Sequence, residues 1–284
     1  MNATAYGARL GLERGWREFR HCLGSSDQWY NVFIGVAYFT VLLFQRDSAV
    51  DGTTLTLAAL TLPSVVGMSV AFGGLVGPAG QLSTNREDGT LLRAKAVPNG
   101  MTGYLVGRVV QTSLDVLFSL VVVIVPGLLI VDGLFRTGVG GVLLLVAVLV
   151  VGLLATLPWG AVMGSVARSP QGAMGLTMLP MMGVVAISGI FYPISALPGW
   201  VQGVAQVFPV YWTGLGARAA LLPDSAAAAE IGGTWRVPET FGVLGVWAVV
   251  GFLVAPTILR RMARRESGAD MEQRRQAALT RGVG

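Results

Sequence analysis

Charged residues are scarce in this sequence. Asp, Glu, Lys and Arg make up 12% of the 284 residues, whereas soluble domains usually carry about 25%. Hydrophobic residues account for 53%, and the mean hydropathy is +0.65. A helix of about 20 apolar residues crosses the hydrocarbon core of a bilayer, and several stretches approach or exceed this length. The composition therefore excludes an ordinary soluble domain and predicts an integral membrane protein.

Cysteine, histidine and lysine each occur once, as Cys22, His21 and Lys95. A single cysteine excludes an internal disulfide framework, and a single histidine excludes a histidine-rich metal site. A P-loop needs Gly-Lys-Ser/Thr to hold the phosphates of ATP, but Lys95 stands between two alanines. We therefore expect no cofactor and no metal on this chain, and any ATP must be hydrolysed by another subunit.

The apolar stretches divide into six predicted spans, so the expected fold class is all-α. The spans are 29–44, 55–82, 101–131, 138–167, 172–192 and 240–259. Most of them are free of charge, and the Gly-x-Ser-x-Gly motif of hydrolases is missing, so we predict a non-catalytic protein. The predicted organisation is a cytoplasmic amphipathic helix over 1–28, a six-span domain over 29–260 and a poorly ordered basic tail over 261–284.

The basic residues predict how the chain is oriented in the membrane. With six spans, 16 of the 20 Lys and Arg residues fall on the side that also holds both termini. Cytoplasmic loops carry the excess of Lys and Arg, so both termini are predicted to be cytoplasmic. This asymmetry also accounts for the net charge of +5, and we expect no nucleic-acid partner.

The segment before the first span has the pattern of an amphipathic helix. Leu12, Trp16, Phe19 and Leu23 recur at helical spacing, and charged residues occupy the remainder of the helix surface. Such a helix lies along a membrane surface with its apolar face in the headgroup region. A helix that docks on a soluble partner would show the same pattern, so both interpretations stay open here.

One acidic residue, Asp115, lies near the middle of the third predicted span. It shares a helix face with Arg108 and Gln111 at spacings i, i+3 and i+7. Ionisable residues at this depth are candidates for function, and one hypothesis is a proton-coupling carboxylate in a secondary transporter. The other hypothesis is a buried acid that faces the bundle or a polar cavity and fixes helix packing.

A compact polar island, residues 85–100, separates the second and third spans. Gly89 can adopt a positive φ, Thr90 can cap the following N–H groups, and Pro98 ends the predicted short helix. Leu91 and Leu92 are expected to face the cytoplasm, where they fit a hydrophobic groove on a partner; the alternative is an ordinary interfacial loop. The candidate contact residues are Arg86, Glu87, Asp88, Gly89, Thr90, Leu91 and Leu92.

A second unusual segment, residues 188–221, is apolar but broken by prolines. It cannot form one straight helix, and a re-entrant pair of short helices satisfies its backbone if protein covers them. The alternative is an extracellular loop with a surface helix. The candidate residues of this segment are Gly189, Pro193, Pro198, Trp200, Pro209 and Arg218.

Together these two segments resemble those of the ABC-2 type transporter permeases, the membrane subunits of bacterial ABC exporters. Members carry a polar turn with Gly-Thr-Leu after the second span, closed by a proline, and the matching residues here are Arg86, Glu87, Gly89, Thr90, Leu91 and Pro98. Members also carry Gly-x-x-x-Pro, Leu-Pro-x-Trp, a further proline and an arginine, matched by Gly189, Pro193, Leu197, Pro198, Trp200, Pro209 and Arg218. The sequence departs from the family at Leu92-Arg93, where members often have Glu.

The resemblance implies a type V exporter-like permease in the bacterial inner membrane, surrounded by lipid. It would pair with a second copy of itself or a related permease and with two subunits that bind ATP and Mg. Residues 85–100 would be the coupling helix, residues 1–28 would contain an interfacial connecting helix, and 188–221 would line or gate the exit. The implied cargo is drug-, antibiotic- or lipid-like; the rival hypotheses are a proton-coupled transporter that uses Asp115 and a membrane scaffold.

Overall fold

The structure is a computed structural model, and it describes residues 3–24, 26–50, 55–97, 100–131, 138–167 and 169–265. Within these ranges the chain is almost entirely helical, as predicted, with one isolated bridge between Ala49 and Thr56. The α-helices are α1 (Ala3–Cys22), α2 (Ser26–Gln45), α3 (Leu57–Glu87), α4 (Thr90–Ala96), α5 (Gly100–Gly127), α6 (Gly138–Val166), α7 (Pro170–Ile187), α8 (Gly199–Ala205), α9 (Pro209–Leu221) and α10 (Val237–Arg265).

Five of these helices are long and apolar enough to cross a membrane: α3, α5, α6, α7 and α10. They coincide with predicted spans two to six. The first predicted span lies in α2, whose apolar part, Asn31–Gln45, is shorter than the other five. The presence of five apolar spans is therefore confirmed among the described residues, and the sixth stays a prediction.

Several helices end at residues other than the ends of the predicted spans. The second span continues as helix through Glu87, whereas the fifth ends at Ile187 instead of residue 192 because Gly189 adopts a φ of +61°. Residues 261–265, assigned to the tail, are the last residues of α10. Pro98 and residues 266–284 of the predicted tail lie outside the described residues.

Helix α3 is the centre of the bundle and packs against α5, α6, α7 and α9. Its 31 residues are apolar on all sides for most of their length, which is typical of a helix buried by protein rather than facing solvent. Close approach depends on glycines: a Cβ at Gly67 or Gly74 would overlap Thr213 of α9 or Thr156 of α6. The main hydrophobic core surrounds this helix.

Helix α9 is also enclosed, and every one of its residues is buried. It starts with Pro209, whose missing N–H costs nothing at the first helical position, and it packs against α3, α6 and α10. The outer surfaces of α5, α6, α7 and α10 instead keep many apolar side chains exposed, including Leu117, Leu143, Leu179 and Leu253. Such surfaces suit a lipid environment.

Helix α1 packs against α5 through glycine rather than through its apolar residues. A Cβ at Gly11 would lie 2.5 Å from the carbonyl oxygen of Gly103, and one at Gly15 would lie 2.6 Å from that of Gly107. The contacts advance in the same direction on both helices, so they run parallel. Leu12 and Trp16 of the predicted apolar face are about half exposed, so the bundle leaves this face available to lipid or to a partner.

Candidate functional site at the two ends of α3

The short helix α4 lies where the sequence predicts one, and its start differs in detail from the prediction. Arg86 and Glu87 are still part of α3, and Gly89 supplies the turn with a φ of +75°. Thr90 does not provide the cap; its backbone N–H instead donates to Asp88 Oδ1 at 2.8 Å. The cap therefore comes from the residue before the glycine.

The predicted orientation of Leu91 was wrong. Its side chain is only 1% exposed and packs with Leu82 and Tyr104, and Leu259 of α10 adjoins this cluster. Leu92 is half-buried. A hydrophobic residue in a short helix prefers the nearest apolar neighbour, and here that neighbour is the bundle itself. Leu91 fixes α4 to the spans instead of facing a partner.

The surface of α4 that faces away from the bundle is mixed in character. Its exposed residues are Asp88, Arg93, Ala96 and Val97, whereas Glu87 and Lys95 are half-buried. Arg93 donates to the carbonyl oxygen of Asp88 at 3.0 Å. Beside this surface, a groove of about 760 Å³ runs between α1, α4 and the start of α5, and its walls include Leu10, Arg14, Arg93, Val97 and Tyr104.

Arg86 does not face a partner either. It is 8% exposed, and its Nη1 donates to the carbonyl oxygens of Gly164, Ser165 and Ala167 at 3.3, 2.8 and 3.0 Å. These carbonyls lie at the end of α6, 78 to 81 residues further along the chain. The expectation that Arg86 contacts an ATPase is therefore corrected by its burial.

A polar cluster joins α1, α3 and α5 close to α4. Arg108 donates to Gln81 Oε1 at 2.9 Å and to Gln111 Oε1 at 2.6 Å, and it pairs with Glu18 of α1 at 3.4 Å. Arg108 and Gln111 thus share a face, as predicted, and Asp115 lies one turn further along α5, half-buried.

Sequence analysis did not identify Glu18, Gln81 and Asn85 as members of this cluster. Asn85 donates to the Tyr104 hydroxyl at 2.9 Å and, like Gln81, faces α5 from the last turns of α3. The i, i+4 spacing of Gln81 and Asn85 at the end of an apolar helix was an available signal for a polar contact.

The opposite end of α3 carries the α8–α9 segment, defined here as residues 188–236. Gly189 lies just after the end of α7, Pro198 immediately precedes α8, and Pro209 is the first residue of α9. Trp200 projects outward and is 75% exposed, whereas Pro193 is half-buried. The prolines therefore divide this stretch into short helices, as predicted. The position of these helices in a membrane stays a prediction.

Arg218 is the buried charge of the α8–α9 segment. It is 2% exposed, its Nε lies 2.7 Å from Glu230 Oε1, and its Nη2 donates to Glu230 Oε2 at 3.2 Å. Its Nη1 donates to Ser64 Oγ of α3 at 2.6 Å. The Nε contact is an ion pair rather than a well-aligned hydrogen bond. Neither Glu230 nor Ser64 stood out in the sequence, since each lies in an otherwise apolar or small-residue stretch.

A second arginine, Arg236, closes the same segment. Its guanidinium lies 4.9 Å from the Trp212 ring centroid and donates to Gln206 Oε1 at 2.8 Å and to the Tyr211 hydroxyl at 2.6 Å. Burial raises the pKa of Tyr211, and the Glu230 carboxylate adds to this effect. Tyr211 therefore stays protonated at neutral pH and accepts the hydrogen bond from Arg236. The segment is held by two arginines, Arg218 within α9 and Arg236 just before α10.

Among the described residues, no three His, Cys, Asp or Glu side chains lie close enough together to hold a metal ion. The polar groups at both ends of α3 are instead engaged in contacts between helices.

Comparison with known proteins relates the chain to a protein family and to a curated relative. A model of the family described as ABC-2 type transporter matches residues 16–222. The chain is also 27% identical, over 168 residues, to a daunorubicin resistance ABC transporter permease protein of Streptomyces coeruleorubidus. That alignment covers 58% of this chain and 56% of the relative, so it spans little more than half the length of that protein.

Proposed function

Because the chain belongs to the ABC-2 type transporter family, and is therefore a multi-pass membrane protein, we propose that it is the permease subunit of an ABC exporter. It forms the translocation path for a substrate, and a separate subunit binds and hydrolyses ATP with Mg. Membership of this family implies an ABC ATP-binding partner and dimerisation in general; here the dimer partner is a second copy or a related permease. Both termini and α4 lie on the cytoplasmic side of a bacterial inner membrane.

The observation that carries this proposal is the attachment of α4. It is a short helix at the end of the central helix α3, joined to it by a glycine turn and anchored by Leu91 in a cluster with Leu82 of α3 and Tyr104 of α5. If another protein displaces this helix, the displacement is transmitted to several spans at once. Such an attachment is suited to a helix on which the ATP-binding subunit acts.

The contact surface with the ATP-binding subunit differs from the one that the sequence suggests. Since Arg86 and Leu91 are buried, the partner meets Asp88, Arg93 and Val97 together with the groove beside α1. Arg93 and Arg14 give this groove basic side chains, which suit an acidic or polar surface on the partner.

The substrate class is proposed as drug-, antibiotic- or lipid-like. The matched relative supports it, since that protein is named for daunorubicin resistance. The α8–α9 segment, held at the far end of α3, forms the exit side of the path.

The test is co-purification of the permease with a P-loop ATPase encoded beside its gene, in mild detergent. Arg93→Glu should weaken binding of the ATPase at least several-fold because it reverses a charge on the exposed side of α4. Arg46→Glu is the matched control, since Arg46 is also an exposed arginine but follows α2 at a distance from α4. Equal recovery of the ATPase with both variants would contradict the proposed contact surface. Uphill transport by the isolated permease in liposomes would contradict the function itself.

A further inference from the structure

The end of α3 is joined to the end of α6 by an unusual side-chain contact. The guanidinium of Arg86 reaches across to three carbonyl oxygens, those of Gly164, Ser165 and Ala167. The last carbonyls of an α-helix have no partner within the helix, and they form the negative end of its dipole. A buried arginine that donates to them acts as a side-chain cap at the C-terminal end of α6.

Backbone packing makes the same junction rigid. Gly160 and Gly164 of α6 lie directly on the backbone of α3, and a Cβ added at Gly164 would lie 2.6 Å from the carbonyl oxygen of Ala79. Ser83 also donates to the carbonyl oxygen of Gly164 at 3.2 Å. Packed helices of this kind move together or shift between discrete arrangements rather than deform continuously.

The junction also includes the start of α7. Ala167 follows α6 directly, and its side chain packs with Ala79 of α3 and Ala173 of α7. Ser169 caps α7 by accepting a hydrogen bond from the Gly172 N–H at 3.1 Å. By holding the carbonyl of Ala167, Arg86 therefore also fixes a residue that packs against Ala173 of α7.

We propose that Arg86 is a positioning residue that makes the end of α6, with Ala167 and the start of α7 packed against it, follow every movement of α4. The inference rests on the proposed function, because it presupposes that an ATP-binding subunit moves α4. It adds a route that the sequence did not suggest. Helices α6 and α7 pack on α3 along their length, and at the end next to α4 the Arg86 guanidinium adds the polar contact that holds this junction together.

The experiment measures distances between spin labels in the full complex of permease and ATPase, on a Cys22→Ser background. One pair, Ala96→Cys with Val166→Cys, reports α4 against the end of α6, and both positions are exposed. The second pair, Ala96→Cys with Phe44→Cys, reports α4 against the far end of α2. Each pair is measured without nucleotide and after trapping with ATP, Mg and vanadate, with labelled permease diluted by unlabelled copies.

With Arg86 intact, the 44–96 distance should shift on trapping while the 96–166 distance stays constant. In Arg86→Gln the 96–166 distance should shift as well, and the substrate moved per ATP hydrolysed should fall with the ATPase still bound. Arg86→Lys, which keeps the charge and three donors but loses the planar fork, should give an intermediate result. Arg261→Gln, an exposed arginine on α10, is the control and should behave as wild type.

The experiment distinguishes failure of the proposed role of Arg86 from failure of the proposed function. A constant 96–166 distance in Arg86→Gln, beside a shifting 44–96 distance, overturns the role of Arg86 and leaves the proposed function intact. A 44–96 distance that never responds to nucleotide in the complex with Arg86 intact overturns the proposed function and this inference with it.

Discussion

Removal of one partner from the Arg218–Glu230 pair should destabilise the protein strongly. Both side chains are almost fully buried, at 2% and 8% exposure, and they share two short contacts of 2.7 and 3.2 Å. Loss of Glu230 would leave the Arg218 cation without a counter-ion. A buried pair broken in this way typically costs about 3–5 kcal/mol.

The other contacts of Arg218 indicate where in this range the loss of unfolding free energy should fall for each substitution of Glu230. In Glu230→Gln the guanidinium keeps its hydrogen bond to Ser64 Oγ at 2.6 Å, and the new amide oxygen can still accept one bond. We therefore expect about 3 kcal/mol for Glu230→Gln, and nearer 5 kcal/mol for Glu230→Ala, which also leaves space where the side chain packed. Replacement of both charges in Arg218→Met with Glu230→Leu should recover most of the loss, because no unpaired charge remains.

The assay is unfolding by sodium dodecyl sulfate in mixed micelles, followed by tryptophan fluorescence. Trp212 and Trp235 report on the same segment, since both lie between α8 and α10. The control is Asp47→Asn, because the exposed Arg46–Asp47 pair at 3.4 Å should contribute about 1 kcal/mol or less. The reasoning is refuted if Glu230→Gln costs no more than the control, or if the double variant is less stable than either single one.

Two further predictions concern α1 and α5. Gly11→Val should detach α1 from α5, because a Cβ there meets the Gly103 carbonyl oxygen at 2.5 Å, and increased protease cleavage near residue 24 would reveal the detachment. The control is Gly24→Val, which should have no effect because nothing lies within 4 Å of a Cβ at that position. Unchanged cleavage in Gly11→Val would contradict the packing of α1 on α5. Asp115→Asn should leave ATP-driven export intact and independent of a proton gradient, as measured in proteoliposomes with the ATPase present. If the substitution abolishes both export and the dependence of export on a proton gradient, the proton-coupled hypothesis is favoured instead.

The features that follow from composition and local chemistry could be predicted from the sequence. Long apolar runs identified the helices that became α3, α5, α6, α7 and α10. Gly89 and the two prolines Pro198 and Pro209 marked where the backbone had to turn or restart. These signals are local, since a residue's own side chain restricts φ or removes a donor.

The contacts between distant parts of the chain could not be predicted in the same way. Leu91 was expected to face a partner because apolar character alone does not say which apolar surface will bury it. Arg86 was assigned to a docking surface, yet its acceptors are backbone carbonyls of α6, which have no sequence signature. Glu230 ends a run of alanines that predicts nothing about an arginine twelve positions earlier.

The enclosure of α9 has a consequence for how the protein is made. At 13 residues this helix extends about 20 Å, too short to cross a hydrocarbon core of about 30 Å, and it carries the Arg218 cation. Lipid alone is therefore a poor host for it during synthesis. Its buried position depends on α3, α6 and also on α10, which comes later in the chain, so residues 209–221 can be fully enclosed only after these helices have come together.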